Sequence, residues 1–434
     1  MYSYSIEQLF EKASADVLCN TSYPLSKDWF AEYRSDKDIM ADVDALSFYF
    51  HIPFCKHLCS FCEYTRFLLR DAAEGMHYIQ LLQEQTDIFL ASHQIDLLLG
   101  LDVGGGTPTA LGTEAFRQLM KLIGNVIRRL KKAPDFESSL EFSFSTYDTK
   151  KIELAVLAGI ERFSTGIQVY DQALLQSNQR DTCSVDSMIS AYADMKQCGI
   201  QKLNLDIMYG LPNETTEILL HTLRALDRIH PEQITLYETR YNCNAIRKKQ
   251  ISRDLLFSQY ELIYKELTRM GYKGRFGQNT FSLGDDEGVS SYLASRMFQG
   301  KPYKGFGISA QSMSWRGISY NSFKSERSKY MPILEHLCEE DNYSLPAEEI
   351  AAKYICIALY SGRFDLNVVS EMLGQDAEKK FEKEIRFLFT RKLITIQNHV
   401  CLLTPEGFRL YGAVGALFWS EKHKLMYLRE TKGD

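Results

Sequence analysis

From residue 46 to residue 270 the chain alternates between two hydrophobic periods. Short apolar runs rich in β-branched and aromatic residues give way, six times, to longer stretches of helical period. Strands are expected at 46–52, 96–103, 139–145, 162–168, 202–209 and 233–239, with helices near 73–92, 114–130, 149–158, 185–198, 215–229 and 254–270. Strand followed by helix, repeated, leaves few folds open. Parallel strands need long crossovers, and each crossover helix must bury its apolar stripe on the sheet. The expected class is therefore α/β with a parallel sheet, and six units fall short of the eight that close a barrel. Loops after the strands gather at one end of such a sheet, so any chemistry is expected there.

Flanking segments read differently. Residues 1–45 are a mixed, polar N-terminal extension whose one notable feature is Thr21-Ser22-Tyr23-Pro24, a turn by its composition. Residues 271–345 are rich in Gly and aromatics (Gly271-Tyr272-Lys273-Gly274-Arg275-Phe276-Gly277, then Tyr303-Lys304-Gly305-Phe306-Gly307) and suggest a connecting antiparallel segment. Residues 346–434 give amphipathic helices, then Leu393-Ile394-Thr395-Ile396, a turn at Gln397-Asn398-His399, and Val400-Cys401-Leu402-Leu403, an α+β, winged-helix-like pattern. Acidic and basic residues are mixed there, and the whole chain carries a net charge of −6, so no nucleic-acid footprint is present. A cover over a substrate is the expected role of this unit. No run of eighteen apolar residues and no basic-then-apolar N-terminus occurs, so a cytoplasmic protein with no membrane partner is expected. Seven scattered cysteines (Cys19, Cys183, Cys198, Cys243, Cys338, Cys356, Cys401) read as buried thiols rather than disulfides.

Directly after the first strand stands Tyr49-Phe50-His51-Ile52-Pro53-Phe54-Cys55-Lys56-His57-Leu58-Cys59-Ser60-Phe61-Cys62. Three thiolates at C-x3-C-x2-C spacing suit an iron–sulfur cluster, and the absence of a fourth nearby Cys leaves one iron open to a small ligand. A structural zinc site completed by His51 or His57, or three unrelated thiols, are the alternatives, although neither His makes the paired spacing of zinc fingers.

The cysteine spacing with its preceding Tyr-x-His-Ile-Pro-Phe-Cys resembles radical S-adenosylmethionine enzymes, and more narrowly the oxygen-independent coproporphyrinogen III oxidase group. Thr21-Ser22-Tyr23-Pro24 stands at a similar distance before the cysteines in that group. The resemblance implies a partial (β/α)6 TIM-like barrel open on one side. It implies a 4Fe–4S cluster on Cys55, Cys59 and Cys62 whose open iron chelates S-adenosylmethionine. Further matches fall at strand ends. Gly104-Gly105-Gly106-Thr107-Pro108-Thr109 follows the second strand; by itself a tight turn, it corresponds to the loop that lines the methionine amine. Glu141 corresponds to a cofactor-contacting Glu, although Phe144 stands where the group usually has Pro. Gln168 offers donor and acceptor to ribose hydroxyls and Arg180 a fork for a carboxylate, at the Gln-to-Arg spacing of the group, and Asp206 can accept from ribose hydroxyls. Tyr49 is implied as a group beside the bound cofactor. Read alone, these would be a solvent-facing Glu, a capping Gln, a surface Arg and a strand-packing aromatic.

Two departures matter. Coproporphyrinogen oxidases usually carry a fourth Cys two residues after the third, where this chain has Tyr64. Branches lacking that Cys include heme-degrading and class C methyl-transferring enzymes, which use two S-adenosylmethionine molecules. The His-Asn-x-x-Tyr-Trp of the heme chaperones is absent; the nearest segment reads Ser291-Tyr292-Leu293-Ala294-Ser295-Arg296-Met297-Phe298. Methyl or methylene transfer to an aromatic or tetrapyrrole substrate is thus the expected chemistry, with a flavodoxin- or ferredoxin-type electron donor. Oxidative decarboxylation of coproporphyrinogen III, a non-catalytic heme or cluster carrier, and an electron-transfer protein are the alternatives; the lack of a fourth thiolate opposes the last.

Overall fold

The computed structural model describes residues 4–16, 18, 23–181, 183–241, 248–321 and 340–429. Its centre is one eleven-stranded sheet. The strands are β1 (Ala45–Ile52), β2 (Leu97–Gly105), β3 (Ser138–Glu141), β4 (Arg162–Gln168), β5 (Lys202–Tyr209), β6 (Gln233–Glu238), β7 (Thr280–Ser282), β8 (Tyr303–Phe306), β9 (Gln311–Ser314), β10 (Gly317–Asn321) and β11 (Glu340–Ser344). They run in the order β11-β10-β9-β8-β1-β2-β3-β4-β5-β6-β7, and β1 to β6 are mutually parallel. β7 and β11 lie at opposite ends of the order and do not pair with each other among the described residues, so the barrel is partial, as expected. The helices Ala72–Ser92, Thr113–Arg129, Thr149–Ala158, Val185–Gln197, Thr216–Ile229 and Arg253–Arg269 lie within two residues of expectation.

The alternation of side chains explains the curvature. Leu46, Phe48, Phe50 and Ile52 of β1 are fully buried, and Phe48 meets Phe89 of the first crossover helix edge-to-face at 6.0 Å. Each such side chain contributes roughly 1.5–3 kcal/mol by leaving water. The other face is polar. In register across the sheet, Tyr49 pairs with Asp102, Asp102 with Ser139, Ser139 with Arg162, Gly166 with Asp206, and Asp206 with Thr235. A sheet with one apolar and one polar face wraps its helices outside and leaves a polar lumen.

Two expectations fail locally. β3 ends at Glu141 rather than 145, because the Ser143 hydroxyl accepts from the Ser145 amide and turns Phe144–Thr146 into a 3-10 helix. In the segment expected to be antiparallel, β8 instead runs parallel to β1 and extends the barrel wall, whereas β7, β9, β10 and β11 are antiparallel to their neighbours. Its four residues carry too little pattern to declare a direction.

The C-terminal unit has helices Ala347–Ala358, Leu366–Leu373 and Glu382–Thr390 and a small antiparallel sheet of β12 (Arg363–Asp365), β13 (Ile394–Gln397) and β14 (Val400–Leu403) in the order β12-β14-β13. Asn398 and His399 both have positive φ, 50° and 62°, as a tight two-residue hairpin turn requires. The N-terminal segment clasps this unit: the Tyr23 hydroxyl lies 2.7 Å from His423 Nδ1 and bonds Glu349, and His423 Nε2 donates to the Trp29 carbonyl at 3.0 Å. Tyr23 thus packs inside the molecule, while Thr21 and Ser22 lie outside the described residues. Of the scattered cysteines, Cys356 and Cys401 are buried, Cys183 and Cys198 are half-buried, and Cys19, Cys243 and Cys338 lie outside the described residues. No helix among the described residues is long and apolar enough to cross a membrane.

Candidate active site

The cysteine loop is held independently of its cysteines. Phe54–Cys55 pairs in parallel with Phe67–Leu68, and the Phe67 amide donates to the Pro53 carbonyl at 2.7 Å. On one side the Gly106 and Thr107 amides donate to the Ile52 and Phe54 carbonyls at 2.8 and 2.7 Å, tying the loop to the triple-glycine turn. On the other, Ser60 bonds Asn178, and His57 pairs with Asp181 at 2.6 Å. Thr107 Oγ1 donates to Cys55 Sγ at 3.8 Å, and Arg180 Nη1 donates to Cys59 Sγ at 3.5 Å. Burial pushes the Cys55 thiol up to about 11 despite the Thr107 hydrogen bond.

Both histidines proposed as zinc ligands are engaged elsewhere. His51 Nε2 lies 2.9 Å from the Thr65 carbonyl, which only accepts, so this nitrogen carries the proton and Nδ1 accepts from the Tyr49 hydroxyl at 3.2 Å. Burial lowers His51 to about 4, keeping it neutral. Among the described residues no three metal-ligating side chains converge on one point, as a single zinc ion would demand. Burial raises the Cys62 thiol, and the charges of Arg66 and Arg180 act against that rise.

The lumen above holds the remaining candidates. Gly104 lies against Glu141, where a Cβ would come within 2.5 Å of its carboxylate, and Gly105 has φ of 113° with a would-be Cβ 2.4 Å from His51. Only glycine fits either place. The Gly105 amide donates to Glu141 Oε2 at 3.1 Å. Gln168 adopts φ of 63°, and its Oε1 is buried without a hydrogen-bond partner. A strained backbone aiming an unsatisfied oxygen inward is a feature of ligand sites. Asp206 accepts from Asn204 Nδ2 at 2.6 Å. Desolvation raises Asp206 to about 6 and Glu141, although its side chain is exposed to the lumen, to about 7. Tyr49 stacks on Tyr292 at 5.7 Å. Arg180 reaches back to the Gly166 carbonyl as well as to Cys59, so it links β4 to the cysteine loop.

Residues 49–226 match the family model described as the radical SAM superfamily. That segment is a radical SAM domain. The chain is 26% identical over 403 residues to the oxygen-independent coproporphyrinogen III oxidase of Salmonella typhimurium, covering 85% of this chain and 84% of that one. It is 28% identical over 191 residues to the heme chaperone HemW of Bacillus subtilis, covering 44% of this chain and 49% of that one, so it spans about half of that relative's length. Among solved structures, coproporphyrinogen III oxidase (HemN) from Escherichia coli shares the fold at a TM-score of 0.72 and 21% identity, covering 89% of this chain and 95% of that one.

The radical SAM domain brings more residues to the lumen than its motifs announce. Asp102 on β2 accepts from Ser290 at 2.7 Å through Oδ2, while Oδ1 is buried without a partner, and burial raises it to about 7. A carboxylate inside the apolar run Leu101-Asp102-Val103 is the signal that could have found it. Arg162 lies below, donating to Gln233 at 2.7 Å and to Ser139 at 3.0 Å. At the mouth, Tyr64 is 61% exposed, and the enclosing protein together with the charge of Glu141 raises its phenol, which stays protonated at neutral pH. Tyr237 of β6 and Tyr360 of the C-terminal unit face each other with ring centroids 6.3 Å apart, and Tyr360 donates to the Leu236 carbonyl at 2.9 Å. Arg240 pairs with Glu63 of the cysteine loop at 3.3 Å.

Proposed function

We propose that this chain is a radical SAM enzyme of the coproporphyrinogen oxidase-like group that transfers a methyl or methylene carbon to an aromatic or tetrapyrrole substrate. The observation that carries the reading is Tyr64, a bulky, protonated phenol in the mouth where decarboxylating relatives place a thiol. Cys55, Cys59 and Cys62 hold the 4Fe–4S cluster. Gly104, Gly105, Gly106 and Thr107 present backbone to the methionine amine, and Glu141, Gln168, Arg180, Asp206 and Tyr49 surround the remainder of S-adenosylmethionine. The bound cluster and S-adenosylmethionine supply a 5′-deoxyadenosyl radical; the protein binds, orients and excludes side reactions. Gln168 Oε1, unpartnered in the protein, accepts a ribose hydroxyl. Tyr64, Tyr237 and Tyr360 form a stacking wall for a flat acceptor, with the C-terminal unit covering it. A second S-adenosylmethionine as carbon donor and a flavodoxin- or ferredoxin-type reductant complete the proposal.

The test is an anaerobic assay with methyl-labelled S-adenosylmethionine and coproporphyrinogen III or another tetrapyrrole as acceptor. Label in the product and S-adenosylhomocysteine beside a 5′-deoxyadenosine derivative are expected. Carbon dioxide from propionate side chains, with no label transferred, favours the second reading, oxidative decarboxylation, which the similarity to the Salmonella oxidase over 85% of the chain supports. Tight heme binding without S-adenosylmethionine cleavage favours a carrier.

Acidity in the lumen gives a separate expectation. Glu141 and Asp206 are raised, so the empty protein holds protons there below about pH 7 and about pH 6. A cationic ligand favours their ionised forms, so binding releases protons. Affinity for S-adenosylmethionine should rise with pH up to about 7, by no more than roughly tenfold per unit for each proton released. Titration calorimetry in two buffers of different ionisation enthalpy measures that release; pH-independent affinity from about 5.5 to 7.5 removes both carboxylates from the cofactor's surroundings.

A further inference from the structure

A cavity of about 250 Å³ lies beside the barrel, between β8–β9 and the helices Ala347–Ala358 and Leu366–Leu373. None of the residues placed around the cluster or S-adenosylmethionine lines it. Ile350, Ile357, Val368 and Met372 give it an apolar wall, Tyr303 and Met313 close the opposite side, and Trp315 stands at its edge, 51% exposed.

Among the polar residues that also line it, Arg296 is the one stacked inside the wall. Arg296 lays its guanidinium over the Tyr303 ring at 4.5 Å, and its Nη1 donates to the Tyr292 hydroxyl at 3.3 Å. Its Nε is buried without a hydrogen-bond partner. Among the described residues no carboxylate forms an ion pair with it. Glu371, the only acidic group lining the cavity, is exposed. A partly buried guanidinium without a counter-charge gains from an anion beside it, and its planar fork matches a carboxylate. An apolar, aromatic-edged chamber with Arg296 in its wall, and the exposed Lys301 as a second lining cation, is the composition of a small-molecule site.

We propose that this cavity is a second ligand site, taking a small aromatic or fused-ring carboxylate whose acid group pairs with Arg296 and whose ring lies against Tyr303, Met313 and the C-terminal helices. The inference is independent of the carbon-transfer reading, because it uses none of the residues assigned to the cofactors.

The probes are 2-naphthoate and its neutral counterpart 2-naphthamide, titrated by calorimetry into the full-length protein. The acid should bind one per chain and at least tenfold more tightly than the amide. Arg296→Gln should erase that preference while leaving amide binding in place. Val368→Trp fills the chamber without touching the charge and should weaken both probes tenfold or more. Should Arg296→Gln fail to fold by circular dichroism, Arg296→Lys keeps the charge without the fork and should retain only part of the preference. No binding of either probe, equal binding of both, a preference that survives Arg296→Gln intact, or affinities untouched by Val368→Trp would overturn the proposal.

Discussion

With Cys55, Cys59 and Cys62 all replaced by alanine, the protein is expected to retain no iron after anaerobic reconstitution, against about four irons per chain for the unaltered sequence. The loss should be complete, because no other thiol lies in the loop and both nearby histidines are committed to other partners. The fold itself should survive. Backbone hydrogen bonds from Phe67, Gly106 and Thr107, and the Ser60–Asn178 and His57–Asp181 contacts, hold the loop without any sulfur. Far-ultraviolet circular dichroism should therefore match the parent while the charge-transfer absorption of the cluster disappears. Stoichiometric zinc in the unaltered protein, with no iron-dependent absorption, would remove the cluster from the account.

Arg180→Ala should weaken S-adenosylmethionine binding by roughly ten- to a hundredfold, the equivalent of one charge-assisted hydrogen bond worth about 1.5–3 kcal/mol. From the sequence, Arg180 reads as a clamp for the cofactor alone. Its contacts with Cys59 Sγ at 3.5 Å and with the Gly166 carbonyl make it also a brace between β4 and the cysteine loop. The variant is accordingly expected to lose iron faster during oxidation or chelation than the parent, in addition to binding the cofactor less tightly. Arg180→Lys, which keeps the charge but not the planar fork, should recover part of the affinity. Cofactor affinity unchanged in Arg180→Ala would take the residue out of the binding site, whatever became of the cluster.

The mouth of the barrel gathers a few aromatic side chains from distant parts of the sequence. Tyr64 comes from the cysteine loop, Tyr237 from the sixth strand and Tyr360 from the end of a C-terminal helix. A thiol at position 64 would be small. A raised phenol stays protonated across the physiological range, so it offers an aromatic face and a hydroxyl but no thiolate.

Much of the architecture was written locally. Period-two apolar runs followed by helical ones fix a parallel sheet because each strand and helix must bury its own apolar face, a constraint that neighbours in sequence largely satisfy. The cysteine spacing and Gly104-Gly105-Gly106 were equally legible, since a short loop brings its own ligands together and a backbone that must pass His51 or Glu141 within a Cβ's reach admits only glycine. What the sequence could not declare was whatever depends on partners far along the chain. Ser143 ended the third strand through a competing side-chain bond, and β8 joined β1 in parallel across some 250 residues, a choice made by packing rather than by four residues of pattern. Arg162 looks like an ordinary surface charge in sequence, yet its place in β4 leaves it 4% exposed, and the helix Ser291–Met297 lays Arg296 over Tyr303. Only the tertiary structure could decide that, because a strand residue's charge does not reveal which of the sheet's two faces the rest of the chain will enclose.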